Sequence, residues 1–375
     1  MLTLDRIRGY CLIILSINLV MLGLTFIKTS ESGLTIFGAP FGGDFAEFYS
    51  AGKIINEYGA HRLYDLNLQD TLVHEQVPIS PDISIPYVYL PFLALLFAPL
   101  ARLSFAWAYF AWLVISTGLY VSAVLLALRR NPALPRGLTL LVALAFPPFC
   151  MYVLGGGQVS AVGCFIFAGA LYLANTGRSF LSGLVLALLL YKPSLVVLIV
   201  PALLFAGQFR ALIGFAVGAI VLCLVSWWMI GSEELIHLGR LLRAFGGTIG
   251  FEGSRTAKYV DLGAFVRLLF HVNLGVLPLV LIPLCAFFFR HNPWATFPAT
   301  LLLNAYAPIY DLVLVVPIII AIERIDRSVA TLFVVSLVAV PVAQVTGVQM
   351  LTPVLTYLAW RMAGHRPFTR STIVQ

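Results

Sequence analysis

The segment GGDFAEFYSAGKIINEYGAHRLYD, from Gly42 to Asp65, sets two Asp, two Glu, a Lys, an Arg and a His beside a series of Tyr and Phe, in a chain that is otherwise mostly apolar. Carboxylates take up protons and cations hold anions, so polar chemistry is first sought in this loop. The same residues also have a purely local use. Asp44 follows Gly42-Gly43 where a helix N-cap belongs, and Glu47 stands at the three-residue offset of a capping box. Phe45, Phe48, Ile54 or Ile55 and Tyr58 recur at helical spacing with Glu47, Lys53 and Glu57 among them. Read alone, 44–58 is an amphipathic helix capped by Asp44 and laid along a membrane surface. A second interfacial stretch follows over 66–77.

Other chemistry-bearing residues are scattered. Lys192 lies inside the apolar run LVLALLLYKPSLVVLIVPALLF, about midway between Arg178 and Arg210. A lysine at the middle of a membrane helix costs about 2.5–3.5 kcal/mol on insertion scales and is a functional suspect by default. The alternative is a side chain that snorkels to the interface. Asp311 closes the motif NAYAPIYD and either caps a helix over 312–323 or supports a cation. Gln158 follows Gly155-Gly156-Gly157, but the phosphate-loop pattern is incomplete and no strand precedes it, so the glycines read as a tight turn whose Gln donates hydrogen bonds. His61 and Arg62, and Arg255 and Lys258 further on, are anion ligands or solvated loop charges. The outer loops carry no HxxxH, DxD or paired His/Asp cluster, so no metal and no cofactor is expected.

The elements that position these residues follow from composition. Of 375 residues, 61% are hydrophobic and 10% charged, with mean hydropathy +0.98. A soluble domain averages roughly 25% charged residues, and a β-barrel would show alternating ten-residue segments instead of long continuous apolar runs. The class is an all-α integral membrane protein. The net charge of +7 comes from Lys and Arg at the ends of apolar runs, as orientation signals, and does not argue for nucleic acid. Five cysteines, Cys11, Cys150, Cys164, Cys223 and Cys285, sit inside apolar segments without metal or redox spacing. The apolar run from Cys11 to Ile27 is longer than a signal peptide's and reads as an uncleaved first span with a cytoplasmic start.

Candidate spans of suitable length lie near 9–27, 86–103, 105–128, 137–153, 158–175, 179–207, 210–230, 262–289, 294–309, 312–323, 328–346 and 349–361, giving about 11–13 transmembrane helices in a single domain over 1–361. The run 179–207 is one helix kinked at Lys192-Pro193 or two short halves. Loops 28–85 and 231–261 fall on one face, outside, and the polar tail 362–375 inside. Between 86 and 207 two topologies are open. If 86–103 is re-entrant, Arg129, Arg130, Arg136 and Arg178 are inside; if it spans, they are outside and Gln158 is inside.

The ordered series Gly43-Asp44-Phe45-x-x-Phe48-Tyr49-x-Ala51-Gly52, Tyr64-Asp65, YVYLPFLALLFAPL from Tyr87, Gly157-Gln158-Val159, Gly177-Arg178, Lys192-Pro193, Gln208-Phe209-Arg210 and Tyr306-Ala307-Pro308-x-Tyr310-Asp311 resembles bacterial glycosyltransferase family 87 over roughly 40–325. That family is similar to the polyprenol-phosphate-mannose-dependent mannosyltransferases of the GT-C class. The resemblance implies a GT-C-type bundle with amphipathic juxtamembrane helices in its first outer loop, where Asp44 occupies the position of the catalytic carboxylate. It implies substrate binding by Glu47, Tyr49, His61, Arg62, Gln158, Lys192, Arg255, Lys258, Tyr310 and Asp311. The expected partners are a polyprenyl-phosphate sugar donor, mannose foremost, a lipid or glycan acceptor, and membrane lipids. The expected site is the outer face of a bacterial inner membrane. A transporter or flippase of lipid-linked sugars is the alternative, although internal repeats and paired broken helices are not evident.

Overall fold

The computed structural model describes residues 4–27, 40–77, 79, 84–248, 256–322 and 327–364. Among them the ordered elements are helices, joined at one point by an antiparallel bridge between Tyr259 and Pro308. Four helices are long and apolar enough to cross a membrane: α1 (Leu4–Leu24), Phe105–Leu128, 209–242 and 329–346. The pair Arg136–Leu144 and Pro148–Leu154, bent by 49°, makes a fifth if counted as one. Further apolar helices over 160–175, 179–191, 193–205, 277–291 and 309–321 are shorter. The all-α membrane class is as expected, but the expected spans are often broken into short pieces.

The breaks have local causes. The first loop holds α2 (Phe45–Lys53) and α3 (Leu66–Gln76). Only the seven-residue helix α4 (Pro91–Phe97) and a short 3₁₀ turn form within 86–103, too little to cross a bilayer. The run 179–207 is two halves: α8 (Ser179–Leu186) tightens into a 3₁₀ turn ending at Tyr191, and the chain resumes in α9 (Ile199–Phe205). Lys192 between them has φ −131, ψ 86, because the following Pro193 excludes the helical region for the residue before it. The expected single span 262–289 is also divided. Its first helix, Leu262–Phe270, ends at left-handed His271, and Asn273 then accepts hydrogen bonds from Gly275 N at 3.0 Å and Arg267 at 2.8 Å.

Hydrogen bonds sort the turns onto two ends. Asp44 N–H donates to Gly156 O at 3.0 Å, and near the start of α5 (Phe105–Leu128) Tyr109 and Trp112 donate to Leu154 O and Gly157 O. Those groups share one end with the Lys192–Asp311 contact and the 257–260 segment. The 24 residues of α5 then run about 36 Å to the other end. There Arg129 stacks on Tyr172 at 5.5 Å, Asn131 donates to Ile320 O, and Trp294 donates to Gln208. Arg129 and Arg130 therefore lie opposite Asp44, which is the arrangement in which 86–103 does not cross.

Two expectations about the loops change. The helix α2 does not lie on a surface, since Phe45 through Gly52 are all buried. Phe48 stacks on Phe97 with ring centroids at 4.9 Å, Phe97 packs on Trp112 at 4.7 Å, and a Cβ at Gly52 would stand 2.6 Å from Phe97 O. The loop helix is too apolar on its inner side, and too closely approached by α4, to remain a collar. The stretch that begins at 231 is largely helical: α10 (Phe209–Thr248) kinks at Gly231, with φ 76 and ψ 178, and continues past it. The continuation packs on α4 and on the Ala60–Arg62 turn. Below the kink, Gly214 of the GFAVG motif meets Phe180 and Leu184 of α8, Gly218 meets Leu184 and Ala187, and Gly183 of α8 meets Ala211 and Phe215, each with almost no room for a Cβ, the close backbone approach that small residues permit between membrane helices.

Gly157 and Gly177 both have positive φ, +67 and +81, but only Gly157 is crowded, a Cβ there falling 2.5 Å from Phe45 Cβ and 2.6 Å from Gly42 O. Gly157→Ala should cost about 2–4 kcal/mol through strain and overpacking, and Gly177→Ala about 1 kcal/mol through strain alone. Thermal unfolding of both variants in detergent measures the difference.

Candidate active site

The start of α2 decides what its two carboxylates can do. Asp44 occupies the N-cap position, but its side chain makes no capping hydrogen bond. Its carboxylate instead receives Nε2 of Gln158, whose side chain is 2% exposed. The N–H that a capping-box Glu47 would accept is donated to Gly156 O. The GGGQ turn, set between the π-helix Pro148–Leu154 and α7 (Ser160–Asn175), thus releases both carboxylates from backbone duty. Asp44 remains half-buried, at the rim.

Glu47, one turn further along, is 7% exposed. Burial pushes its carboxyl well above the usual carboxylate range; the negative charge of Asp44 adds to this and Lys192 opposes it. Tyr87, Tyr89 and Tyr306 are near enough to feel its charge.

Deeper in, Lys192 forms an ion pair with Asp311, and Ser160 Oγ donates to the other carboxylate oxygen of Asp311 at 2.7 Å. Asp311 is fully buried and Lys192 is 9% exposed. The helix break at Lys192-Pro193 carries the ammonium to the site end of the bundle, and the rings of Tyr310 and Tyr306 face it at 5.2 and 5.4 Å. Asp311 is not an N-cap. Pro308 holds that position, and the Asp311 side chain serves Lys192 and Ser160.

The 306–311 loop is clamped from outside. Val260 N donates to Ala307 O at 2.8 Å and Ile309 N to Lys258 O at 2.9 Å. Asp261 accepts from Ala264 N at 2.8 Å, which caps the Leu262–Phe270 helix, and from Ala307 N at 3.2 Å. Gln349 and Thr352 hold the opposite side of the 257–260 segment through Ala257 O and Val260 O. Burial pushes Asp261 up to about 6 despite the backbone donors that lower it.

Of the residues expected from the sequence, Asp44, Glu47, Gln158, Lys192, Tyr310 and Asp311 come together. Tyr49 does not, because its hydroxyl donates to Leu103 O at 2.9 Å on the side facing α5. His61 and Arg62 are exposed, and Arg62 pairs with Asp65 at 2.6 Å. Lys258 contributes its backbone while its side chain is exposed. Arg255 lies outside the described residues. Sequence reasoning gave no role to Ser160, and it placed Asp261 only within the stretch RTAKYVD as part of an acceptor or donor lip. The signal for Ser160 was its place at the polar start of an apolar helix, two residues after Gln158. The signal for Asp261 was its N-cap position before LGAFVRLLF.

A half-buried carboxylate, a buried acid and a buried ion pair, gathered at one end of an apolar helical bundle, define a membrane protein with a polar reaction centre. The model of glycosyltransferase family 87 matches residues 87–317, more than half of the chain, and the chain belongs to that family. It is therefore a membrane glycosyltransferase, which decides against the transporter alternative. No curated protein and no solved structure matches it. The matched segment includes Gln158, Ser160, Lys192, Asp261 and Asp311; Asp44 and Glu47 precede it and are joined to it through Gly156 and Gln158.

Removing one partner of a buried ion pair costs about 3–5 kcal/mol, because the other charge is left uncompensated. Lys192→Met should be destabilised by about that much, and adding Asp311→Asn should restore most of the loss, as read by a double-mutant cycle of unfolding in detergent. Asp261 gives a pH dependence. Its value of about 6 in the fold exceeds the ordinary 3.8, so the folded protein holds this proton more tightly than the unfolded chain. That contribution to stability is complete below about 3.8 and is lost as the pH rises through about 6. The stability of the wild type relative to Asp261→Asn should accordingly fall between pH 4 and 7.

Proposed function

We propose that the protein transfers a sugar, mannose foremost, from a polyprenyl-phosphate donor to a lipid or glycan acceptor, with inversion, on the outer face of a bacterial inner membrane. The observation that carries this reading is the Asp44 carboxylate, freed from capping and fixed by a neutral amide at the rim of the buried Lys192–Asp311 centre. The Gln158 amide orients the Asp44 carboxylate, and a general base must be held in position in this way.

In the proposed reaction, Asp44 takes the proton of the acceptor hydroxyl. The acceptor oxygen forms its bond to the anomeric carbon on the face opposite the phosphate. The bond from that carbon to the phosphate oxygen breaks, and the electron pair leaves with the polyprenyl phosphate. That leaving group needs positive charge nearby but no proton, and Lys192, paired with Asp311, is a cation that the described residues place at the site. One carboxylate then suffices, whereas glycoside hydrolysis commonly uses two. Tyr306 and Tyr310 line the same centre and offer ring faces and hydroxyls to a sugar.

A general base contributes about 10²–10⁴-fold to rate. Purified Asp44→Asn, supplied with undecaprenyl-phosphate mannose and acceptor-containing membrane extract, should release polyprenyl phosphate at least about a hundredfold more slowly than wild type, with unchanged thermal unfolding. Release at the wild-type rate would show that Asp44 is not the base.

A further inference from the structure

Among the described residues Glu47 has no hydrogen-bonding partner that explains where it is. At the third position of a helix it should answer the N-cap N–H, yet that N–H is donated to Gly156 O. Its carboxyl makes no side-chain hydrogen bond to another described residue and is buried on the side of α2 that faces the Lys192 centre. The cation there is already matched, because Asp311 holds Lys192 with help from Ser160. The residue is 7% exposed and its carboxyl oxygens are not sealed off, so a hydroxyl arriving from outside can reach this largely buried acid.

We propose that Glu47 is a second carboxyl of this site, one that hydrogen-bonds a hydroxyl of the bound sugar while Asp44 takes the proton of the acceptor. The inference rests on reading the site as the transferase centre, and adds to it the group that reads the sugar. Glu47 acts as a neutral acid. On its own element it faces Asp44, whose negative charge opposes a second anion. From the 187–193 break it faces Lys192, which favours ionisation but is committed to Asp311. Tyr87 and Tyr89, ahead of α4, and Tyr306, in the clamped loop, are its other titratable neighbours, and all three are neutral phenols near neutral pH. A carboxylic acid donates through its O–H and accepts through its C=O, so it can bind a sugar hydroxyl in either sense. No proton leaves Glu47 in the reaction.

Glu47→Gln preserves a neutral donor and acceptor of nearly the same shape, whereas Glu47→Ala removes both. With undecaprenyl-phosphate mannose as the donor, Glu47→Gln should keep kcat/KM within about tenfold of wild type. Glu47→Ala should lose about a hundredfold, a large part of it in KM. Infrared difference spectra at neutral pH should show a protonated carboxyl C=O band in the wild type that is absent from Glu47→Gln. Three results would overturn the proposal: Glu47→Gln as inactive as Asp44→Asn, Glu47→Ala with unchanged kinetics, or no protonated carboxyl assignable to Glu47. The infrared readout needs no turnover and decides even where Glu47→Ala does not fold. An active Asp44→Asn would instead remove the transferase reading of the site, so the two failures are distinct.

Discussion

The ion pair of Lys192 with Asp311 is the constraint around which the site end of the bundle is arranged. An ammonium and a carboxylate in an apolar interior lose hydration worth several kcal/mol each, and their attraction offsets this only when the geometry is good and the remaining polar valences are filled. Each nearby irregularity serves that requirement. Pro193 breaks the helix at Lys192 so that the ammonium reaches the site end. Ser160, at the first turn of α7, fills the second oxygen of Asp311. The bridge at Tyr259–Pro308, with Asp261 beneath it, holds the 306–311 loop so that Asp311 cannot swing away. Tyr306 and Tyr310 present ring faces to the ammonium, an attraction worth about 2 kcal/mol when desolvated.

A second arrangement is built on the first. The GGGQ turn reaches the N-terminus of α2 because α7 begins beside Asp311, so Gly156 and Gln158 meet Asp44 at the moment Ser160 meets Asp311. Four residues therefore couple the first loop to the buried pair. The consequence is chemical. A helix start that would spend both carboxylates on its own N–H groups holds them beside the Lys192 centre instead, Asp44 half-buried and Glu47 buried, and burial raises the proton affinity of Glu47.

Membrane class and the break at Lys192 were legible in the sequence, and so was the unusual character of the 44–47, 158, 192 and 310–311 positions that the fold brings together, because each violates a strong rule. Charge is rare in an apolar run, and a polar residue after three glycines is rarer still. What the sequence left open depended on distance between remote segments. Asp44 as cap or as acceptor differs only in whether Gly156 arrives to take its N–H, more than a hundred residues later in the chain. The amphipathic pattern of 44–58 was real but assigned to the wrong solvent. Periodicity says that one side is apolar, and only α4 and α5 closing over it decide that protein, not lipid headgroups, covers that side.

The same reasoning explains why Tyr49, His61 and Arg62 stood out in the sequence yet lie apart from the centre. They share a loop with Asp44, but loop membership is one-dimensional. On α2, Glu47 and Tyr49 are two residues apart, about 200° of helical rotation, so a helix that turns Glu47 toward Lys192 must turn Tyr49 toward α5, where Leu103 O receives it. His61 and Arg62 follow the π-turn Ile54–Tyr58 and Gly59, whose positive φ of 89 turns the chain toward α10. Residues two positions apart were thus separated by helical geometry. Ser160 and Asp311, 151 positions apart, were brought within a hydrogen bond by the cost of leaving a buried charge unmatched.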